Sequence, residues 1–392
     1  MIDTADLSRP ATSGGRPLRI LLLGQGGDET LPGIRGHLRV ETLLQEGLSM
    51  LPGVRVEVAR AGPWTLGERI AGGRWPGLHR LDLDGHDLRW HLVEATRARR
   101  RLSAAVERHR PDAIHVHSHV LALRLGALPA RAPVVLSVDA GITDWRALDP
   151  GRRRWPWSEA ALAPALALER RALRRAALIV AWTEWARAGV RRAAPGVDPY
   201  VLHPGVDTDR FRPAPGRRRG GPLRVLFVGG RFADKGGPEL VAAAADIGAE
   251  LDLVTPVDVP PRPGVRVHRL SAGEPRLLEL IADADVFCLP THRDAAPLAI
   301  LEAMASGLPV VASDIAGIPE LLAGGRCGLL LPAGDGRALR SALAALRDDP
   351  ARRRALGEAG RSRAVANYDA RRQAARLMGL VREHVRSAST TP

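Results

Sequence analysis

The chain has 392 residues, of which 45% are apolar and 26% charged, with 57 basic against 43 acidic side chains and a formal net charge of +14. That length exceeds one compact core and predicts two domains, while the composition excludes a disordered or fibrous chain. Two isolated cysteines, Cys288 and Cys327, each in an apolar strand-like run, exclude a disulfide framework and fit a reducing compartment.

No apolar run approaches the roughly 20 residues that a membrane-crossing helix needs. The N-terminus lacks a basic segment followed by an apolar one. The reading is therefore a cytoplasmic protein, with peripheral contact at the inner membrane face left open. The positive field favours anionic partners. Only two Tyr and four Phe are present, without basic–aromatic interleaving, which argues against nucleic acid as a partner. All but one of the basic side chains are arginine, the exception being Lys235. The runs Arg97–Arg101, Arg152–Arg154 and Arg217–Arg219 read as solvated surface.

In chain order, Leu18 to Gly24 is a buried strand that ends in a glycine turn, Gly24-Gln25-Gly26-Gly27. An amphipathic stretch from about Leu38 to Met50 follows, then a strand at Val54–Ala59. Further strands are expected at Ala113–His117, Val134–Val138 and Leu178–Trp182, with helices near His91–His109 and Glu159–Arg175. The pattern restarts after Pro204-Gly205 and a Pro/Gly/Arg-rich linker: Leu223 to Gly229 repeats the opening strand and glycine. Strands at Leu251–Val254, Val265–His268, Val286–Leu289 and Val310–Ser313 alternate with helices at Pro238–Ile247, Pro275–Ala282, Leu298–Ser306 and Gly336–Leu346. The fold class is α/β, with two doubly wound Rossmann-like domains at residues 1–205 and 206–369 facing a central cleft. A last helix, about 370–386, packs on either domain.

The residues from Asp285 to Gly317 carry the sharpest chemistry. A buried strand ends at Pro290, a polar turn holds Asp294, and a helix opens at Pro297-Leu298-Ala299, with Glu302 inside it. Free N–H groups at that helix start suit a phosphate. Glu302 suits a ribose diol and Asp294 sugar hydroxyls; equally, Asp294 reads as a cap and Glu302 as a surface charge. Gly229-Gly230-Arg231-Phe232-Ala233-Asp234-Lys235 follows a strand, so the glycines let backbone approach a ligand while Arg231 and Lys235 supply positive charge. Arg231 also has Asp234 within reach as an ion-pair partner.

In the first half, His115, His117 and His119 alternate and would share one face of a strand. A zinc site is conceivable there, but no nearby carboxylate or cysteine completes it, and His117 or His119 is placed at the strand mouth. Asp139 follows the next strand and reads either as a turn residue or as a contact to sugar. Trp145, Trp155 and Trp157 among arginines read as domain packing or as an acceptor-gripping loop.

The segment around Asp294 and Glu302, an acid and a glutamate with seven residues between them before Ala-Met-Ala-Ser-Gly-Leu-Pro-Val-Val-Ala, resembles the signature of retaining GT-B glycosyltransferases of family GT4. Val228 to Gly237 resembles the family's diphosphate-binding turn, with three residues between Arg231 and Lys235 where most members have four. His203 to Phe211 resembles its interdomain segment. The resemblance implies transfer of a sugar from a nucleotide-sugar donor with retention of configuration. Arg231, Lys235 and Asp294 would act at the reaction centre. Gly229, Gly230, Pro297, Leu298, Ala299 and Glu302 would hold the donor. Gly26, Gly27, His117 and Asp139 would lie on the acceptor or donor-sugar side, Asp139 standing where many members carry histidine. No cofactor is expected. No metal is expected either, because no Asp-x-Asp pair follows a strand in a suitable loop. A sugar, lipid-linked or small-molecule acceptor all stay open. So do a nucleotide-sugar epimerase and a non-catalytic binder on the same fold.

Overall fold

The structure is a computed structural model that describes residues 16–25, 34–60, 62–75, 77–78, 83, 85–125, 132–149, 155–214, 220–270 and 273–389. The chain divides into two compact units. The first comprises Met1–Ala147, Gly151–Leu202 and Arg371–Pro392; the second comprises Leu148–Pro150 and His203–Ala370.

In the first unit the elements are β1 (Leu18–Gly24), α1 (Ile34–Ser49), β2 (Val54–Arg60), α2 (Leu66–Gly72), α3 (His86–His109), β3 (Ala113–Val116), α4 (His119–Ala122), β4 (Val134–Val138), α5 (Ile142–Ala147), α6 (Pro156–Arg175), β5 (Leu178–Ala181), α7 (Glu184–Ala193) and β6 (Tyr200–Val201). The strands form one parallel sheet in the order β2-β1-β3-β4-β5-β6. β1 is a near-continuous apolar run because helices cover both of its faces. Leu21 and Leu23 pack with Ala98 and Leu102 of α3 on one side, and Ile20 and Leu22 pack on the other. α3 starts at His86, earlier than the sequence suggests, because Gly85 takes a left-handed conformation (φ 57°) and turns the chain into the helix.

The second unit repeats the plan with β7 (Arg224–Val228), α8 (Gly237–Asp246), β8 (Glu250–Val254), β9 (Val265–His268), α9 (Pro275–Asp283), β10 (Val286–Leu289), α10 (Leu298–Ala305), β11 (Val310–Ser313), α11 (Ile318–Leu321), β12 (Leu329–Leu331), α12 (Gly336–Asp348) and α13 (Pro350–Asn367). Its parallel sheet runs β12-β11-β10-β7-β8-β9. Cys288 lies on β10, whereas Cys327 lies in the turn before β12 rather than on a strand; both are buried free thiols. α13 has no counterpart in the sequence reading. Its start is set by Asp349, whose carboxylate accepts from the Arg352 N–H at 2.9 Å, followed by Pro350 at the first helical position.

The segment after Leu202 is tied to the second unit. The Val206 N–H donates to the Tyr368 carbonyl at 2.7 Å, and the Ala370 N–H donates to the Val206 carbonyl at 2.9 Å. Thr208 donates to Asp369 at 2.6 Å. The final helix, α14 (Ala370–Ser389), packs on the first unit's sheet: Ala374, Leu377, Met378, Leu380 and Val381 bury against Ile20, Leu22, Val135 and Val180. Leu377 is 2% exposed, so Leu377→Ala leaves a cavity in a closed interface. We expect a loss of about 2–5 kcal/mol in denaturant unfolding, and a loss below about 1 kcal/mol would show that α14 is not part of the first unit's core.

Candidate active site

In doubly wound sheets, ligands bind beyond the carboxyl ends of the strands where strand order reverses. In the second unit that point lies between β7, the first strand, and its neighbour β10. The two loops that leave there carry Arg231, Lys235 and Asp294.

After β7 the Gly229 N–H donates to the Val254 carbonyl at 3.0 Å, and the chain then folds into a tight turn in which Lys235 N–H reaches the Arg231 carbonyl at 2.9 Å. Gly236 caps α8 at φ 74°. A Cβ there would lie 2.0 Å from the Pro290 carbonyl oxygen, so only glycine lets this turn lie against the end of β10. A Cβ on Gly230 would meet nothing within 4 Å; its backbone borders open space.

The β10 loop is bonded to this turn. The Asp234 carbonyl accepts from the Thr291 hydroxyl at 3.2 Å and from the His292 N–H at 2.8 Å. His292 Nε2 also meets Glu239 Oε1 at 2.9 Å. Lys235 Nζ pairs directly with an Asp294 carboxylate oxygen, and the two side chains are 18% and 13% exposed. Arg231 meets Asp234 at 3.2 Å. Asp294 therefore engages the lysine, and α10 has no side-chain cap.

α10 opens after Pro297, which occupies the N-cap, and its first N–H groups have no intrahelical acceptors. Ile300, Leu301, Ala303, Met304 and Ala305 are at most 1% exposed. Only Leu298, Ala299 and Glu302 are partly open along this helix. Their spacing puts them on one helical face. A helix this apolar buries every other side, so this is the one face of α10 left partly open.

In the first unit the reversal point lies between β1 and β3. Gly24 ends β1 where a Cβ would fall 1.7 Å from Glu41 Oε2; Gly26 and Gly27 lie outside the described residues. β3 stops at Val116. His117 completes the ladder through its N–H to the Leu23 carbonyl at 3.0 Å, and His119 opens α4. The three histidines therefore do not alternate along one strand. His115 alone is on β3, where it bonds the Ser137 hydroxyl at 2.9 Å.

Carboxylates also stand closer than the sequence suggests. Asp139 Oδ2 lies 3.4 Å from His37 Nε2, and Glu169 Oε1 lies 3.5 Å from His119 Nε2. No cluster of three metal-ligating side chains forms among the described residues. Burial holds His115 and His119 down at about 4 and His117 well below its ordinary value, so all three are neutral at pH 7. Burial pushes Asp139 the other way, but His37, His119 and the Ala140 N–H outweigh it and keep the carboxyl below its usual value. Asp139 is thus an anion 5% exposed beside His37, whose ring packs against those of His117 and Trp182. His37, Thr291 and Glu169 carry no sequence signal of their own; only folding brings them to these loops.

The turn after Asp139 is fixed by two buried carboxylates. Asp144 accepts from the Gly141 N–H at 3.0 Å and Glu169 from the Ile142 N–H at 2.9 Å. Burial, with Asp144 adding negative charge, raises Glu169 to about 7 against the lowering pull of the Ile142 bond. Its folded value lies above its unfolded one, so the folded chain holds the proton more tightly. The associated stability is complete below the unfolded value of 4.5 and is lost as pH rises to about 7. Glu169→Gln keeps an acceptor for Ile142 and removes the loss. The stability difference between variant and wild type should shift in the variant's favour from pH 5 to pH 8, by up to about 3 kcal/mol. A difference independent of pH would show that Glu169 does not ionise in this window.

Comparison with known proteins places this geometry. Residues 44–210 match the family model described as Glycosyltransferase Family 4, and residues 222–349 match Glycosyl transferases group 1. The chain is 32% identical over 298 residues to alpha-maltose-1-phosphate synthase of Mycolicibacterium smegmatis, covering 64% of this chain and 74% of that protein. In structure it is similar to sucrose-phosphate synthase from Thermosynechococcus elongatus, with a TM-score of 0.72 at 20% identity over 94% of this chain and all of that one. It is also similar to Anabaena HepE solved with UDP-glucose, with a TM-score of 0.62 at 19% identity over 93% of this chain and all of that one. At those identities the structural likeness speaks to the fold, which is GT-B. The sequence likeness covers most of both chains, and the protein belongs to the family GT4 glycosyltransferases.

Proposed function

We propose that this glycosyltransferase takes its sugar from a nucleoside-diphosphate sugar held in the second unit at the β7 and β10 loops, and transfers it with retention of configuration and without a metal ion. The observation that carries the reading is the single open face of α10, Leu298, Ala299 and Glu302, beside the paired Lys235 and Asp294. A diphosphate suits the unbonded N–H groups at the start of α10 and the open backbone of Gly230. Glu302, one turn further along, suits two ribose hydroxyls. Asp294 is placed to accept from sugar hydroxyls, and Lys235 to exchange a carboxylate for phosphate.

When the sugar–phosphate bond breaks, negative charge grows on the diphosphate. Lys235, Arg231 and the helix amides would meet that charge, which is the role a metal plays elsewhere. In a front-face transfer the departing phosphate takes the acceptor's proton, so no protein nucleophile is required. Asp139 and His117 of the first unit would orient the acceptor or the transferred sugar. The likeness to an enzyme named for making a sugar phosphate favours a sugar or sugar-phosphate acceptor over a lipid-linked one or a membrane-bound role.

Lys235→Met should lower kcat about a hundredfold, the typical loss of one contact to developing charge, about 3 kcal/mol, with a smaller change in donor affinity. Lys235→Arg should recover only part of it. Turnover equal to wild type at saturating donor would remove Lys235 from the leaving-group role, and loss of turnover in excess chelator would remove metal independence. A nucleoside diphosphate should raise the Tm of the protein by linkage. Glu302→Ala should abolish most of that rise while leaving the unliganded Tm within a few degrees; an undiminished rise would place the ribose elsewhere.

A further inference from the structure

The loops after β7 and β10 meet through two side-chain pairs, of which only Lys235–Asp294 has a part in the proposed donor site. Four residues after Lys235, in the first turn of α8, Glu239 Oε1 meets His292 Nε2 at 2.9 Å. His292 stands two residues before Asp294, so the two pairs form successive rungs between the same two loops. The backbone bond from the His292 N–H to the Asp234 carbonyl, at 2.8 Å, runs between them.

A glutamate in a helix's first turn ordinarily reaches back to the N–H of the capping residue. Here the cap is Gly236, and its N–H donates instead to the Ala233 carbonyl at 3.0 Å. The Glu239 carboxylate reaches across to the other loop. When ionised it can only accept, so it takes the proton on His292 Nε2. The histidine ring is confined as well: a Cβ on Gly334, in the turn after β12, would come within 3.4 Å of Cε1. His292 thus ties together the ends of three strands, β7, β10 and β12.

The two rungs have opposite polarity. The β7 side supplies the cation in one and the anion in the other. On the donor site proposed above, on which this inference rests, a diphosphate takes Lys235 from Asp294, so the first rung breaks whenever donor binds. The His292–Glu239 pair and the bonds to the Asp234 carbonyl then hold the loops in register. Register matters, because a displacement of about 1 Å at a reacting group costs roughly a hundredfold in rate. We propose that His292 and Glu239 are a positioning pair, which sets Lys235 against Asp294 before donor binds and keeps the two loops together once Lys235 has turned to the diphosphate.

The chain's one lysine gives a direct probe. Protein grown on isotope-labelled lysine yields a single lysine side-chain resonance in NMR, that of Lys235. His292→Leu keeps bulk and removes the donor. It should shift that resonance and weaken binding of inorganic pyrophosphate, measured by calorimetry well below Tm, at least fivefold. Glu239→Ala should do the same. His292→Gln, which retains an N–H donor, should recover most of the affinity. Leu377→Ala, which destabilises the first unit, should lower Tm yet leave resonance and affinity as in wild type, which separates positioning from mere loss of stability. The proposal is overturned if the unliganded resonance stays in place in His292→Leu and Glu239→Ala, if both bind pyrophosphate as tightly as wild type, if His292→Gln behaves like His292→Leu, or if Leu377→Ala moves the resonance as far. A wild-type resonance that pyrophosphate leaves unmoved would instead remove the donor reading, and the unliganded resonances would still decide whether the pair positions Lys235.

Discussion

One backbone carbonyl organises the second unit's site. The Asp234 oxygen accepts both the Thr291 hydroxyl and the His292 N–H, so the turn after β7 and the turn after β10 form one hydrogen-bonded piece. Thr291 is fully buried, and an unmade bond at a buried hydroxyl costs about 1–3 kcal/mol. That penalty keeps the two turns in register. With them in register, Lys235 from one loop faces Asp294 from the other, and the start of α10 stands beside both. The parallel β7–β10 pairing brings the two strand ends together; the Asp234 bonds fix which side chains emerge there.

The two units handle charge in opposite ways. In the second, a cation and an anion, Lys235 and Asp294, meet in a partly open setting, where either can trade its partner for an incoming group at modest cost. In the first, His115, His117 and His119 are buried and neutral while Asp139 keeps its charge beside His37. A buried carboxylate with a histidine partner and a fixed backbone turn is preorganised, because Asp144 and Glu169 hold the Gly141 and Ile142 N–H groups. Such a group presents a defined acceptor to a hydroxyl without reorganising its surroundings.

How much of this the sequence discloses depends on how local each feature is. The buried strands are legible as apolar runs ending in glycine, and the start of α10 is legible because proline and the following apolar residues set it locally. The Lys235–Asp294 contact, 59 residues apart in the chain, is not, since it needs the strand order. The same holds for His37, which sits on α1 without pattern and reaches Asp139 across the sheet. The histidines mislead because period-two spacing implies a strand, yet β3 ends at Val116 and the chain turns into α4. α13 was within reach: Asp349 followed by Pro350 is a local start signal. Gly26 and Gly27 lie outside the described residues, and their place in the site rests on resemblance alone.

The lone lysine of an arginine-loaded chain sits in a close-packed setting. The Lys235 stem lies along Gly229, where a Cβ would come within 3.2 Å of its Cγ, and the same Cβ would strike the Phe227 ring at 2.7 Å. Gly229 is therefore held by two neighbours at once, and any side chain there would press on the Lys235 stem. A guanidinium is wide and planar and needs room for its fork; an ammonium is a compact charge that can point at Asp294 or at an anion by a small rotation. Arg231, 28% exposed and turned toward Asp234, occupies the roomier rim, where a fork fits. The two cations thus sit in different surroundings: Lys235, 18% exposed, meets Asp294 from the other loop, and Arg231, 28% exposed, meets Asp234 of its own turn.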